Sequence, residues 1–352
     1  MNTASPSHRP ALQGALLAVL AATLFGVSTP LVQRMGAGVG AFTTAAWLYG
    51  GAALVGALLR KPVEREAAVR RQDLPRLVWM AVFGAGVGPV ALAWGLQHTS
   101  GTSATLMLTL EAVFTALLAR LLYHEVMDRR VWLAMAMLLA GGVALVLDQG
   151  AVGGGQVLGL LAVLGATAAW GVDNTLSRGV AERDPGQVVL GKSLLGAAIT
   201  AVLATVQQEP LPTWPAALGL LLIGGTGYGL SLRLYLLAQR AFGAARTGSV
   251  FAFAPFIGAL LAVGLGERGM GWGGVIGGGL MLLGVLLHLA ESHAHEHAHE
   301  ALEHEHAHVH DDGHHLHTHD PMPTGPHSHA HRHEPLRHTH AHVPDAHHTH
   351  RH

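Results

Sequence analysis

The chain has no cysteine among its 352 residues, which excludes disulfides, thiolate metal sites and cysteine nucleophiles. Charged residues are also scarce, at 12% of the chain, about half the fraction that soluble domains carry. It contains neither a phosphate-binding loop nor a Ser, His and Asp arrangement with recognisable spacing. Because half of the residues are hydrophobic, we expect a membrane protein rather than an enzyme, and no ATP hydrolysis.

The near-neutral net charge of −1 conceals two segments of opposite charge. Residues 1–290 carry 18 Lys and Arg against 12 Asp and Glu. Residues 291–352 carry 3 Arg against 10 Asp and Glu, together with 23 of the 27 histidines. The chain therefore divides into an apolar body and a histidine-rich tail.

The body contains ten apolar stretches close to the roughly 20 residues that a membrane-spanning helix needs. They are 12–32, 39–59, 76–96, 102–123, 131–148, 157–177, 187–206, 216–238, 248–265 and 272–290. The connections on one side of the membrane hold 13 Lys and Arg residues, whereas those on the other side hold only Arg34 and Arg268. Since short cytoplasmic loops collect these residues, the pattern predicts cytoplasmic termini in the cell (inner) membrane. The first stretch is expected to stay as a span, because no convincing cleavage site follows it.

An internal repeat covers most of the body. Shifting the sequence by 142 residues aligns 97–147 with 239–289 without a gap, with 12 of 51 positions identical. Each copy holds five spans, so the second copy would enter the membrane from the opposite face, as in many secondary transporters. We therefore predict an all-α integral membrane protein with ten transmembrane helices in two inverted five-helix repeats. The predicted segments are a cytoplasmic N-terminus at 1–11, the first repeat at 12–148, the second repeat at 155–290 and the tail at 291–352.

Three motifs, in this order along the chain, resemble the drug/metabolite transporter superfamily of the EamA type. They are LEAVFTALLA, WGVDNTLSR, and YLLAQRAFGAARTGSVFAFAPFIGALLAVGLGER, and the resemblance covers about residues 12–290. It implies ten spans in two halves and the movement of small metabolites, amino acids or drugs, often outward. The chain departs from the family pattern at Ala112, where proline is usual, whereas Pro255 fills the comparable role in the second half. We therefore expect the first-half helix to be less interrupted.

Ionisable residues within the spans are candidate functional groups, because intramembrane charges usually face the bundle interior. Glu111, near the middle of the fourth span, is a candidate substrate-amine counter-ion or proton carrier, with a structural hydrogen bond as the alternative. Three later spans carry polar side chains at similar depth: Asp173, Asn174, Lys192 and Arg233. If Asp173 pairs with one cation, the surplus positive charge would suit an anionic substrate group. Alternatively, Lys192 and Arg233 extend to the lipid headgroups.

Other residues of the spans are expected to have structural roles. Glu125 and Glu267 end helices at equivalent repeat positions, and with Pro255 they are candidates for structural or gating roles. The aromatic residues are expected to pack between helices or lie at interfaces rather than line a pocket. Those considered are Trp47, Tyr49, Trp94, Phe251 and Phe253.

The tail has no apolar period and contains five prolines, so we expect it to be disordered. Its imidazoles, interleaved with carboxylates, suit Zn²⁺, Ni²⁺, Co²⁺ or Cu²⁺, and a solvated tail without metal is the alternative. The candidate ligands are His293, His295, His297, His299, His304, His306, His308, His310, His315, His317, His319, His327, His329, His331 and His333.

Two functions remain open at this level. The first is a secondary transporter, an exporter of small metabolites or drugs, whose cytoplasmic tail binds divalent metals. The second is an exporter of nickel, cobalt or zinc that the tail supplies with ions. A membrane-anchored metal store without transport would leave the repeat unexplained. We expect no cofactor to be required for transport, and partners limited to the bilayer, a small-molecule substrate and metals, with no nucleic acid. The oligomeric state is left open, a homodimer being one alternative.

Overall fold

The computed structural model describes residues 8–61, 67–123, 127–150, 153–180, 183–242, 244–268 and 270–289, and four strands in the tail. Its α-helices, numbered in chain order α1 to α14, are His8–Met35, Ala41–Leu59, Leu74–Met80, Gly88–Leu96, Gly101–Met107, Glu111–Tyr123, Arg129–Gly150, Gly154–Ser177, Pro185–Val206, Trp214–Ile223, Ser231–Phe242, Ala244–Phe251, Ala254–Gly264 and Trp272–Leu289. Short 3-10 turns lie at Arg71–Asp73, Leu108–Leu110 and Arg178–Val180.

Several of these helices form parts of longer helical segments. Within the described ranges, nine segments are long and apolar enough to cross a membrane, and Trp272–His288 is a shorter apolar helix. The nine are Leu12–Met35, Ala41–Leu59, Arg71–Leu96, Gly101–Leu122, Arg129–Gln149, Gly154–Val180, Pro185–Val206, Trp214–Arg240 and Thr247–Gly264. Large apolar side chains such as Leu58 and Leu147 are 81% and 70% exposed on the outside of the bundle. The chain is therefore a multi-pass membrane protein.

The two halves of the body pack against each other along their helices. α2 packs on α9, α4 on α8, and α1 on α11 and α13, while α7 and α14 form a pair. Glycines permit the closest of these contacts. A Cβ added at Gly277 of α14 would lie 2.8 Å from the carbonyl oxygen of Gly141 in α7. The backbones of α7 and α14 can approach this closely only because neither position carries a side chain.

Helix irregularities recur at nearly the spacing of the sequence repeat. A π-helical segment joins α3 to α4 at Ala81–Val87, and a second joins α10 to α11 at Gly224–Leu230, 143 residues later. These two segments lie on the third and eighth of the apolar segments, the equivalent positions of the two copies. Such π-helical turns are rare and are often found at functional sites.

The fourth segment is less interrupted than the ninth, as expected, because it stays helical through a 3-10 turn whereas the ninth leaves the helix at residues 252–253. Both are interrupted, at Leu108–Leu110 in the first half and before Ala254 in the second, although Ala112 replaces the usual proline. In the first half, the hydroxyl groups of Thr105 and Thr109 donate to backbone carbonyls of the preceding turn. Threonine hydroxyls bonded in this way bend helices, so the interruption does not require proline.

The tail contains four short strands, where we expected disorder. They are β1 (His293–His299), β2 (Leu302–His308), β3 (His327–His333) and β4 (Leu336–His342). β1 pairs with β4 and β2 with β3, both antiparallel. Histidine at every second residue is a period of two, which is the period of a strand, and the prediction of disorder overlooked it. Four candidate ligands lie outside the described residues: His310, His315, His317 and His319.

Candidate functional site

A pocket enclosing about 480 Å³, its open mouth included, lies between the two halves of the body. The first half contributes Phe25 from α1, Tyr49 from α2 and Glu111 from α6. The second half contributes residues of α8, α9, α11, α12 and the second π-helical segment.

Aromatic rings form much of the pocket wall. Phe25 is central: its ring centroid lies 5.8 Å from those of Trp170 and Tyr228 in edge-to-face geometry, and 5.3 Å from that of Phe251. Edge-to-face pairs are favourable because the positive ring edge meets a negative ring face. The aromatic lining residues are Phe25, Tyr49, Trp170, Tyr228, Tyr235 and Phe251.

The first π-helical segment holds two of these rings in place. The carbonyl oxygen of Gly84 accepts hydrogen bonds from the Tyr49 hydroxyl and, at 2.9 Å, from the Trp170 indole nitrogen. A Cβ added at Gly84 would meet the carboxyl group of Asp173. Only glycine at this position lets the backbone approach both the rings and the carboxylate.

Asp173 of α8 and Lys192 of α9 form a buried ion pair in the pocket wall. The Lys192 ammonium donates to Oδ2 of Asp173, and the two side chains are 4% and 6% exposed. The other carboxylate oxygen of Asp173, Oδ1, is buried and has no hydrogen-bond partner among the described residues. Of the two alternatives for Lys192, the structure therefore has the ion pair and not a side chain extended to the headgroups.

Glu111 lies opposite this pair, at the first position of α6 after the 3-10 turn. The amide nitrogen of Asn174 donates to Oε1 of Glu111, so the two predicted residues meet across the interface between the halves. The geometry brings together four of the five predicted site residues: Glu111, Asp173, Asn174 and Lys192.

The fifth, Arg233, does not line the pocket. Leu232 and Tyr235 of α11 do, and they are three residues apart on one helix face, whereas Arg233 lies about 100° around the helix from Leu232. The charged lining residues are two carboxylates and one ammonium. The expected surplus of positive charge is therefore wrong for this pocket.

Two of the three predicted gating residues lie away from the pocket. Glu267 accepts hydrogen bonds from the backbone N–H groups of Gly101 and Thr102, at 3.0 and 2.8 Å, and so caps the start of α5. Pro255 is buried in the first turn of α13. Glu125 lies outside the described residues.

Sequence reasoning missed most of the aromatic wall. Tyr49 and Phe251 line the pocket, although we expected them only to pack, and Trp47, Trp94 and Phe253 do not line it. The missed lining residues are Phe25, Trp170, Gly227, Tyr228, Ser231, Leu232 and Tyr235. A signal existed for two of them, because Phe25 and Trp170 begin two similar segments of the repeat, FGVSTPLVQR and WGVDNTLSR, 145 residues apart.

Metal ligands were predicted only in the tail. Among the side chains that the structure describes, no three His, Asp or Glu residues are grouped so that they could hold a metal ion. In the tail, the strand register places histidine opposite histidine at three positions of each pair, for example His295 with His340 and His306 with His329.

Comparison with known proteins gives matches of three kinds. The sequence profile of the EamA-like transporter family matches residues 12–147 and again 157–290. An uncharacterized transporter of Methanothermobacter thermautotrophicus is 26% identical over 207 residues, which are 56% of this chain and 60% of that relative's length. One solved crystal structure superposes on this chain with a TM-score of 0.57 at 21% sequence identity. The match covers 78% of this chain and 96% of the solved chain, and it shows a likeness of fold alone.

Proposed function

Because the chain belongs to the EamA-like transporter family, we propose that it is a secondary transporter, an exporter of small metabolites or drugs across the cell membrane. The observation that carries this proposal is the pocket between the two halves, where Glu111 and Asp173 lie among aromatic rings. Secondary transporters bind their substrates at the interface between repeats. Family membership also favours a transporter over an enzyme.

The proposed topology is ten crossings in two inverted five-helix repeats, with both termini in the cytoplasm. Two separate matches to the family profile and the two π-helical segments support the repeat. The 18 residues of α14 are about 27 Å long, near the 30 Å of a hydrocarbon core, so α14 can be the tenth crossing. An even number of crossings agrees with the asymmetry of Lys and Arg between the connections.

Within this transporter, Glu111 and the Asp173–Lys192 pair would contact the substrate or a coupling proton. Glu267 and Pro255 would hold the interrupted helices around the pocket. The proposal for Glu267 is supported by its bonds to the start of α5, which tie the end of the ninth segment to the fourth.

The test is a screen of solutes in proteoliposomes that contain the full chain, with and without an imposed proton gradient. We expect protein-dependent flux of at least one class of small organic solute, lost in Glu111→Gln. The control variant is Asp148→Asn, which also removes one negative charge, but from a side chain at the end of α7 that does not line the pocket. Absence of protein-dependent flux for every class would contradict the proposal.

We also propose that the tail binds divalent transition metals through its histidines. Directly opposed residues of an antiparallel pair have Cβ atoms about 4.5–5.5 Å apart, near enough for two imidazoles to share one ion. The His295–His340 and His306–His329 register supports such cross-strand pairs. Equilibrium dialysis with Zn²⁺ or Ni²⁺ should give several ions per full chain and almost none after removal of 291–352. Equal binding by both would contradict the proposal.

A metal exporter is the second candidate, favoured by the position of these histidines directly after the body. Cellular metal content and resistance would be measured with the gene, without it, and with residues 291–352 removed. If the protein exports nickel, cobalt or zinc, cells without the gene should contain more of that metal. If the tail supplies the exported ions, cells whose protein lacks residues 291–352 should also contain more of it. Unchanged metal content in both strains would contradict this candidate.

A further inference from the structure

We infer that the pocket selects organic cations: small ammonium compounds with at least one N–H group and an aromatic or apolar body. The inference rests on the proposed transport function and adds the charge and shape of the substrate. Three features of the pocket support it, namely its charge balance, its unpartnered hydrogen-bond acceptor and its aromatic wall.

The charge balance of the lining leaves one negative charge. Asp173 is neutralised by Lys192, whose ammonium is buried against it. Glu111 is bonded to the neutral amide of Asn174. A substrate with one positive charge would neutralise the pocket, whereas an anion would add a second uncompensated charge. Buried charges without a partner are strongly unfavourable, so this balance discriminates by sign.

The hydrogen-bond groups of the pocket point to the same class. Three of its donors already serve the protein: Asn174 donates to Glu111, the Tyr49 hydroxyl to Gly84, and the Ser231 hydroxyl to the Ala21 carbonyl at 2.8 Å. The Tyr228 hydroxyl, buried without a partner among the described residues, can donate or accept. Acceptor capacity remains, because Oδ1 of Asp173 is buried without a partner. An ammonium N–H would satisfy this oxygen, whereas a carboxylate substrate brings only further acceptors.

The aromatic wall suits the body and the charge of such a compound. Phe25 contacts Trp170, Tyr228 and Phe251, so the rings form one continuous apolar surface beside the carboxylates. Aromatic faces attract cations and bury apolar groups, but they offer no comparable attraction to an anion. The pocket therefore combines an acidic end with a wall for an apolar body.

The experiment uses three probes with one phenyl body and different charge. They are 2-phenylethylamine, which is a cation at neutral pH, 3-phenylpropionate, an anion, and 3-phenylpropionamide, which is neutral. Their affinities are measured by calorimetry on the full chain in detergent. We expect the amine to bind about 10-fold more tightly than the amide, and the carboxylate to bind most weakly.

Matched variants assign this preference to Glu111. Glu111→Gln keeps the shape of the side chain and should reduce the preference for the amine over the amide to less than about 2-fold. Glu111→Asp keeps the charge and should retain the preference. Asp148→Asn, outside the pocket, should bind all three probes as the natural chain does.

The outcomes separate this inference from the proposed transport function. Equal binding of the three probes, or tightest binding of the carboxylate, would overturn the inference, and flux of a neutral or anionic solute in proteoliposomes would still show transport. Selective binding of the amine in a protein that moves no solute would support the inference and overturn transport. A cation preference that persists in Glu111→Gln would overturn the role assigned to this carboxylate.

Discussion

Breaking the buried ion pair tests the geometry of the pocket through stability. In Lys192→Met, the carboxylate of Asp173 would stay in a site where its side chain is 6% exposed and where Oδ1 already lacks a partner. Removing one partner of a buried pair costs about 3–5 kcal/mol, because the other charge stays buried and uncompensated. Asp173→Asn should cost a similar amount, since it leaves the Lys192 ammonium unpaired.

The double variant Asp173→Asn with Lys192→Met removes both charges and should recover most of this loss. Replacing a buried pair by neutral groups of similar volume is often close to neutral, so the two substitutions should be coupled by about 5 kcal/mol or more. The free energy of unfolding would be measured by SDS titration in mixed micelles, followed by helicity. If the two single effects add to the double effect within about 0.5 kcal/mol, the residues do not interact and the described pair is wrong.

Four further predictions follow from other contacts. Gly277→Val should destabilise the chain by about 1–3 kcal/mol more than Gly279→Val in the same titration. An added Cβ at Gly277 meets the backbone of Gly141, whereas one at Gly279 meets nothing within 4 Å. Equal effects of the two variants would contradict the packing of α7 on α14. Gly84→Ala should abolish binding of 2-phenylethylamine while the protein still inserts into the membrane, because the added Cβ meets the Asp173 carboxyl group. Unchanged affinity for the amine would refute this prediction. Single cysteines at Gln207 and Arg268 should react with an impermeant thiol reagent from outside the cell, and one at Lys61 from inside; any other pattern would contradict ten crossings. Removal of 291–352 should leave the affinity for 2-phenylethylamine unchanged, since the residues that form the pocket all lie in the body, and a changed affinity would show that the tail contributes.

Much of the body could be predicted from the sequence, because the length and hydropathy of each span depend only on the residues that it contains. All of the predicted windows coincide with helices, although the last apolar segment, Trp272–His288, is shorter than the nine others. The interruption of the fourth segment was not predictable from proline, since threonine hydroxyls bonded to the backbone have the same effect at Thr105 and Thr109. The strands of the tail follow a histidine period that composition does not reveal.

The candidate site was predictable in its charges and not in its walls. Glu111, Asp173 and Lys192 are conspicuous because charges are rare in apolar spans, whereas Phe25 and Tyr228 are two of many apolar residues. Which aromatic residue faces the pocket depends on helix rotation, which hydropathy does not determine. Arg233 shows the same limit, because the sequence predicts it at the depth of Lys192 but it does not line the pocket.

The absence of cysteine makes the most direct test of transport possible. Ser231 lines the pocket and is buried, and Ser231→Cys would place the only thiol of the chain there with little change in volume. A small membrane-impermeant methanethiosulfonate reagent would be added to either face of oriented vesicles. A transporter whose pocket opens alternately predicts reaction from both faces, slowed by 2-phenylethylamine. Reaction from one face alone, or from neither, would contradict the account.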